Sequence, residues 1–267
     1  MDEVEKYYDE AAKEEWNRLE RHKVEFDITK RYMEKYIDKG SNILDVGGGP
    51  GRYAIFLTKK GHDVTLLDLS KENIKLARKK AEDNNLELED YIHGNALKLE
   101  EEVKGKFDTV LCMGPLYHLT GEDERKEVIE QCLKKLKKGG KLFVSFISAY
   151  APTIDFIKKN PEELGKYKSD FLLDYLEDGK NVVSSDNPGF ITAYFINPAE
   201  IEPFMNNFSL KKEVISGIEG ITAQNEEKIN KLSDKAYEEW LDLIFETSKN
   251  PMTWASCEHL LYIGTKI

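Results

Sequence analysis

The stretch Asn42-Ile43-Leu44-Asp45-Val46-Gly47-Gly48-Gly49-Pro50-Gly51 decides the reading of this chain. A short apolar run stops at a glycine cluster, and a helical pattern follows from Arg52 to about Lys60, with Gly61 as its stop. Glycines between a strand and a helix let the backbone turn tightly and let a ligand approach the peptide groups. In an open α/β sheet, ligands bind beyond the carboxyl ends of the strands, near the switch point after the first one. A plain tight turn has the same local look, so a second sign is needed. The next apolar run, Asp63-Val64-Thr65-Leu66-Leu67, supplies it by ending at Asp68, 21 positions after Gly47. A carboxylate there can accept hydrogen bonds from both hydroxyls of a ribose.

Working outward, strand and helix patterns alternate from residue 41 to 148, as in a parallel α/β sheet with right-handed crossovers. Ser70 reads as the N-cap of a helix that carries Ile74, Ala77 and Ala81 on one face. Leu88–His93 and Phe107–Met113 read as the third and fourth strands. Thr120 with Asp123 resembles a capping box opening a helix whose apolar face includes Val128, Ile129, Cys132, Leu133 and Leu136. Gly139-Gly140 is expected to end that helix before a fifth strand, Lys141–Phe146. The Lys134-Lys135-Leu136-Lys137-Lys138 run then falls at a helix C-terminus, where cations complement the dipole.

The flanks read differently. Residues 1–40 form an amphipathic helical cap with Trp16, Leu19, Val24, Phe26, Ile28, Tyr32 and Tyr36 as candidate buried positions. Residues 149–205 break the rhythm with Pro152, Pro161, Pro188 and Pro198, and read as a lid over one edge of the sheet. Its aromatics Tyr150, Phe156, Tyr167, Phe171, Tyr175, Phe190, Tyr194 and Phe195 either line an acceptor pocket or form the lid's own core. Residues 206–267 hold two strands, near 207–219 and 256–265, with helix near 226–248 between them. The expectation is a single domain over residues 1–267, with the cofactor-binding core at 41–148.

With 267 residues, 40% of them hydrophobic, the chain can build a core without disulfide or metal staples. Lys+Arg 39 against Asp+Glu 50 leaves a net charge of −11, which disfavours binding to a phosphate backbone. Cys112, Cys132 and Cys257 lack CxxC spacing and point to free thiols in a reducing compartment, and no cluster has metal-ligand spacing. The acidic start Met1-Asp2-Glu3-Val4-Glu5 is unlike a signal peptide, and no apolar run is long enough to span a bilayer. The expectation is a cytoplasmic protein without membrane or nucleic-acid partners.

The glycine loop discriminates between ligands. A dinucleotide fingerprint needs a third glycine for close helix–strand packing, and here Arg52 stands in that slot. The GK[ST] ending of a triphosphate-binding loop is also absent. A cofactor with a ribose and no pyrophosphate fits better than a nicotinamide dinucleotide.

These residues carry a family resemblance. Ile43–Gly51 resembles the first motif of class I S-adenosylmethionine-dependent methyltransferases, and Leu67-Asp68-Leu69-Ser70 resembles their acidic second motif. Gly94-Asn95-Ala96 stands where the family often has Gly-Asp-Ala. Phe107-Asp108-Thr109-Val110 with Gly114-Pro115-Leu116-Tyr117-His118-Leu119 resembles the fourth motif, and Leu136–Leu142 the entry to the fifth strand. The flanks are similar to a bacterial and archaeal subgroup of small-molecule-type methyltransferases. The resemblance implies a Rossmann-like α/β fold, a mostly parallel seven-stranded sheet with helices on both faces. It implies S-adenosylmethionine as cofactor, S-adenosylhomocysteine as product and a small-molecule acceptor, for a monomer or homodimer.

By the same resemblance Gly47, Gly48, Gly49 and Gly51 would line the methionine part of the cofactor. Asp68 would hold the ribose, Leu69 would pack on the adenine, and Asn95 and Ala96 would flank its edge. Met113 and Gly114 would border the sulfonium, and Tyr8 of the Tyr7-Tyr8 pair would close over it. Methyl transfer is an in-line displacement for which the protein positions the nucleophile and excludes water, so a general base is needed only for a protonated acceptor. His118, beside Tyr117, is the candidate base, the alternative being a histidine satisfied by a backbone carbonyl. His259 reads as structural, and His22, His62 and His93 as surface or loop residues. The Asn-Pro-Pro-Tyr signature of base or amide methylation is missing, the corresponding residues being Met113-Gly114-Pro115-Leu116. The competing readings are an RNA or protein methyltransferase and a cofactor-sensing protein without turnover.

Overall fold

In the computed structural model, residues 2–165, 170–181 and 191–267 are described. The strands are β1 (Asn42–Val46), β2 (Asp63–Asp68), β3 (Asp90–His93), β4 (Phe107–Cys112), β5 (Leu136–Ile147), the short pair β6 (Lys180–Asn181) and β7 (Ala193–Tyr194), β8 (Leu210–Gly217) and β9 (His259–Lys266). Seven of them form one sheet in the order β3-β2-β1-β4-β5-β9-β8. β9 runs antiparallel to both its neighbours and the other pairings in this sheet are parallel. The order reverses between β1 and β4, so the carboxyl ends there open a crevice.

The helices in chain order are α1 (Asp2–Arg21), α2 (Lys23–Tyr36), α3 (Arg52–Lys59), α4 (Lys71–Asp83), α5 (Leu99–Glu102), α6 (Glu122–Lys135), α7 (Ala151–Lys159), α8 (Asp170–Glu177), α9 (Ile201–Met205), α10 (Glu226–Ile229) and α11 (Asp234–Thr247). Strand periodicity assigns them to two faces. Ile43, Leu111 and Phe143 point to the face packed by α2, α3, α4 and α11, whereas Leu44, Val110, Leu142 and Val144 point to that of α5, α6 and α9. Both faces are therefore buried, as a parallel sheet requires. Within the described residues, no helix is long and apolar enough to cross a membrane.

Several expectations are corrected in detail. α6 has Gly121 as its N-cap with no side-chain cap, so Thr120 and Asp123 form no capping box. The same helix ends at Lys135, and β5 already begins at Leu136 and contains both Gly139 and Gly140. Lys134 and Lys135 do lie in the last helical turn, but Lys137 and Lys138 fall within the strand and are exposed. Pairing of Leu136 with Phe107 on β4, followed by a register shift, captures the early residues for the sheet. Within residues 149–205, Tyr175 and Phe195 meet edge to face at 5.4 Å in a small cluster with Ala149 and Ala193. Tyr194 lies under the Arg125 guanidinium at 3.6 Å. Tyr167, Phe190 and the side chain of Phe171 lie outside the described residues.

Candidate functional site

The crevice beyond β1, β2 and β4 is a cleft enclosing about 1150 Å³ of empty space, counted to its open mouth. Its floor is built by the sequence that opened the reading. Gly47 and Gly48 donate their N–H groups to the Leu67 carbonyl of β2, at 2.7 and 3.3 Å, which folds the loop over the strand ends. A Cβ on Gly48 would overlap the Leu66 side chain and the Asp45 carboxylate, so only glycine fits. At Gly49 a Cβ would meet nothing closer than 3.9 Å, between Asn73 and Glu15, and would stand in the cleft space. Gly51 is different: it caps α3 with φ +82° and its missing Cβ faces Ala77 of α4 at 3.1 Å. It does not line the cleft, and its role is to let two helices approach rather than to meet a ligand.

Asp68 is buried at the end of β2, and its carboxylate organises the floor. Oδ2 accepts from Gly49 N at 2.8 Å, and Oδ1 accepts from Ser70 N at 2.9 Å and Asn73 Nδ2 at 3.2 Å. Burial pushes its pKa up, against the pull of those donors. Ser70 is the N-cap of α4, its side chain accepting from Asn73 N. Carboxylate oxygens offer about four acceptor positions in all, so Asp68 keeps capacity for a hydroxyl. Asp45 lies deeper, and its Oδ2 has no hydrogen-bond partner among the described residues. Burial first, and the Asp68 charge second, push its pKa to about 7.

Leu69, Asn95 and Ala96 also line the cleft. Asn95 caps a short turn, its Oδ1 accepting from Leu97 N at 3.0 Å. Met113 and Gly114 lie across from the glycine loop, so close that a Cβ on Gly114 would sit 2.7 Å from the Gly47 carbonyl.

The roof is α1, and it is tied down at three points. Asp9 accepts from Ser70 Oγ at 2.6 Å and from Glu72 N at 3.2 Å, at the start of α4. Arg52 donates to the Trp16 carbonyl and to Glu20, both at 2.8 Å, and stacks on the Trp16 ring at 4.4 Å. The residue that spoils a dinucleotide fingerprint thus clamps the roof. Thirdly, Arg18 forms a two-pronged pair with Glu25 of α2, at 2.8 and 3.0 Å, while its Nε donates to Glu15 at 3.1 Å.

Tyr8 hangs from this roof with its hydroxyl 2.8 Å from His118 Nε2. His118 Nδ1 faces the Thr192 carbonyl at 3.5 Å, and a carbonyl only accepts, so Nδ1 carries the proton and Nε2 accepts from Tyr8. Burial lowers the imidazole pKa to about 4, against the Thr192 carbonyl, so it is neutral near pH 7. Burial likewise holds the Tyr8 phenol well above its usual range. Tyr117 lines the same wall, but its hydroxyl turns back to the Met113 carbonyl at 3.4 Å, with the ring edge-on to His118. Tyr7, 40% exposed, points away from the cleft.

Among the sequence-derived candidates, the cleft thus gathers His118, Tyr117, Tyr8, Gly47, Gly48, Gly49, Asp68, Leu69, Asn95, Ala96, Met113 and Gly114. Sequence reasoning missed Asp45, Glu15 and Arg18. The orphaned Asp45 oxygen, the space a Cβ at Gly49 would occupy and the buried Asp68 suit a ligand with cationic groups, a hydroxylated ribose and a thin thioether linkage. Arg18 and Arg52 both stand in this wall; Arg52 is turned to the Trp16 carbonyl and Glu20 of α1, while Arg18, held by Glu25 and Glu15, keeps two N–H donors that can meet a carboxylate.

The fold is the one seen in solved S-adenosylmethionine-dependent methyltransferases, and the cleft lies at the same switch point of the sheet. Residues 43–140 match the methyltransferase domain family. The ubiquinone biosynthesis O-methyltransferase of Xanthomonas euvesicatoria pv. vesicatoria (strain 85-10) is 29% identical over 179 residues, 67% of this chain and 66% of that relative's own length. The Xylella fastidiosa (strain 9a5c) protein of the same name is 27% identical over 207 residues, 77% of this chain and 76% of its own. Magnesium protoporphyrin IX methyltransferase from Synechocystis PCC 6803, solved with bound S-adenosylhomocysteine, shares the fold with a TM-score of 0.58 at 15% identity, over 99% of this chain and 98% of its own. The PH0226 protein from Pyrococcus horikoshii OT3 superimposes with a TM-score of 0.57 at 17% identity, over 92% and 91% of the two chains.

Proposed function

We propose that this chain methylates a hydroxyl oxygen on a small, partly apolar acceptor, with His118 as the proton sink and Tyr8 as the relay. S-adenosylmethionine, when bound, supplies a methyl group already activated on a sulfonium. Asp68 holds the ribose hydroxyls, Asp45 meets the ammonium group, and Arg18 meets the carboxylate. Leu97, Leu119 and Val128 give part of the cleft wall an apolar character that suits a carbon-rich acceptor. The reading also draws support from the name O-methyltransferase on curated relatives.

The observation that carries the mechanism is the Tyr8 hydroxyl at 2.8 Å from a neutral His118 Nε2. As the acceptor oxygen becomes a nucleophile, its proton passes to the Tyr8 oxygen while the Tyr8 proton passes to Nε2. The imidazolium formed keeps its Nδ1 proton on the Thr192 carbonyl. Tyr8 never holds a full negative charge, which its burial forbids. Tyr117 acts as a wall that fixes the ring of His118.

Net charge −11 and three buried free thiols fit a cytoplasmic enzyme with no nucleic-acid partner.

The test is a panel of hydroxylated aromatic, amine and thiol acceptors, read by release of S-adenosylhomocysteine. Methylation of hydroxyls is expected. His118→Gln and Tyr8→Phe should each slow turnover by roughly 10²-fold or more, the usual worth of a positioned acid–base group. Methylation confined to amines or thiols, or turnover untouched in both variants, would overturn the relay.

A further inference from the structure

His259 stands on β9, outside the cleft lining, yet it joins the roof through a row of charges of alternating sign. Glu219 Oε1, from the segment after β8, lies 2.5 Å from His259 Nδ1, and Glu219 Oε2 also accepts the His259 backbone N–H at 3.2 Å. His259 Nδ1 is in turn 3.6 Å from Oε2 of Glu25 on α2. Glu25 grips both terminal nitrogens of Arg18 on α1, and Arg18 Nε reaches Glu15. Arg18 and Glu15 are in the cleft wall. Glu25 and Glu219 are 5% and 1% exposed.

A guanidinium has five N–H donors, of which these carboxylates take three and leave two for a ligand. Without a fixed partner behind it, a long arginine side chain would spend about 2 kcal/mol of rotamer entropy on being ordered by that ligand. Glu25 fixes the fork, and the His259 charge stands against Oε2 of Glu25, the same oxygen that accepts from Arg18 Nη1. The row ties α1 and α2 to β9 and to the segment after β8, so it also sets α1 at a fixed height over the cleft.

We propose that His259, backed by Glu219, is a positioning residue for the cofactor's amino-acid tail: it holds Glu25, and through it Arg18, at the tail's carboxylate. This rests on the reading that Arg18 meets that carboxylate. The charged and titratable groups facing His259 are Glu25, Glu219 and Arg18, with Cys257 close to Glu219 and His22 close to Glu25. The two glutamates raise the His259 pKa to about 9 against the burial that lowers it. The row is therefore intact at neutral pH and weakens as pH climbs through that value.

The test is calorimetric binding of two probes to the full chain. S-adenosylhomocysteine carries the amino-acid tail, and 5′-methylthioadenosine lacks it. His259→Gln should weaken the first by about tenfold, the usual scale for an outer partner of a ligand-holding group, and leave the second unchanged. Wild-type affinity for S-adenosylhomocysteine should fall above pH about 9, and the variant should lack that extra fall. Glu219→Gln should copy the pattern and serves if His259→Gln does not fold. Equal losses for both probes, or no loss for either, would overturn the proposal. Arg18→Gln separates the two layers: unchanged S-adenosylhomocysteine affinity there would refute the Arg18 reading itself. A loss in Arg18→Gln without one in His259→Gln would refute only the row.

Discussion

Asp68→Ala should bind S-adenosylhomocysteine at least a hundredfold more weakly than the wild-type chain. Two losses combine. The variant removes the buried acceptor offered to the ribose, and a hydrogen bond to a charged group is worth about 1.5–3 kcal/mol. It also strips the acceptor from Gly49 N, Ser70 N and Asn73 Nδ2, so the glycine loop and the first turn of α4 lose their shared anchor. Together these exceed about 2.8 kcal/mol, which is a hundredfold in a dissociation constant. Asp68→Asn keeps one acceptor oxygen but turns an amide N–H toward a donor, so its loss should fall between the two. Titration calorimetry measures both, with the thermal midpoint checking that each variant folds. Affinity unchanged in Asp68→Ala would remove the ribose assignment.

Glu25→Gln should cost about 3 kcal/mol of stability at pH 7. The carboxylate is 5% exposed and faces Arg18 and His259, and those cations hold its pKa at about 2 against the burial that raises it. From an ordinary value of 4.5, that shift of about 2.5 units corresponds to about 3 kcal/mol. A carboxyl whose folded pKa is depressed stabilises above its unfolded pKa and loses that contribution as pH falls through its folded value. Wild-type stability should thus decline between pH 4.5 and about 2, on account of this group. The variant leaves the Arg18 fork half unpaired at every pH, which is the costly way to break a buried pair. Urea midpoints at pH 7 and pH 3 check this: the wild type should lose more than the variant on going to acid. Equal midpoints at pH 7 would contradict the account.

Much of the cleft was legible because it is local in sequence. Gly47, Gly48 and Gly49 are fixed by the turn from β1, Asp68 by the end of the next strand, and Ser70 by capping chemistry that acts over three residues. Asp45 sat inside the decisive stretch and was read as a strand residue, because an alternating strand pattern does not show that its carboxylate lies under a glycine loop. Gly51 belonged to the right motif but serves helix contact with Ala77. The end of α6 was misplaced because pairing of Leu136 with Phe107 overrode the glycine signal. Arg18, Glu25, Glu219 and His259 were illegible for a different reason. Their row joins residues as far apart as 18 and 259, and no periodicity of either segment marks it.

The Arg52 position shows how a departure from one motif becomes a part of another device. It excludes the third glycine of a dinucleotide site, and its guanidinium instead pins the Trp16 and Glu20 region of α1 over the cleft.

The most direct measurement is therefore calorimetric titration of the purified chain with S-adenosylhomocysteine and, separately, with NAD and NADP. The account predicts one S-adenosylhomocysteine per chain, a thermal midpoint raised by the equivalent of about 2.7 kcal/mol at a hundredfold excess over the dissociation constant, and no heat from either dinucleotide. Binding of NAD or NADP in its place, or no binding of S-adenosylhomocysteine, would contradict it.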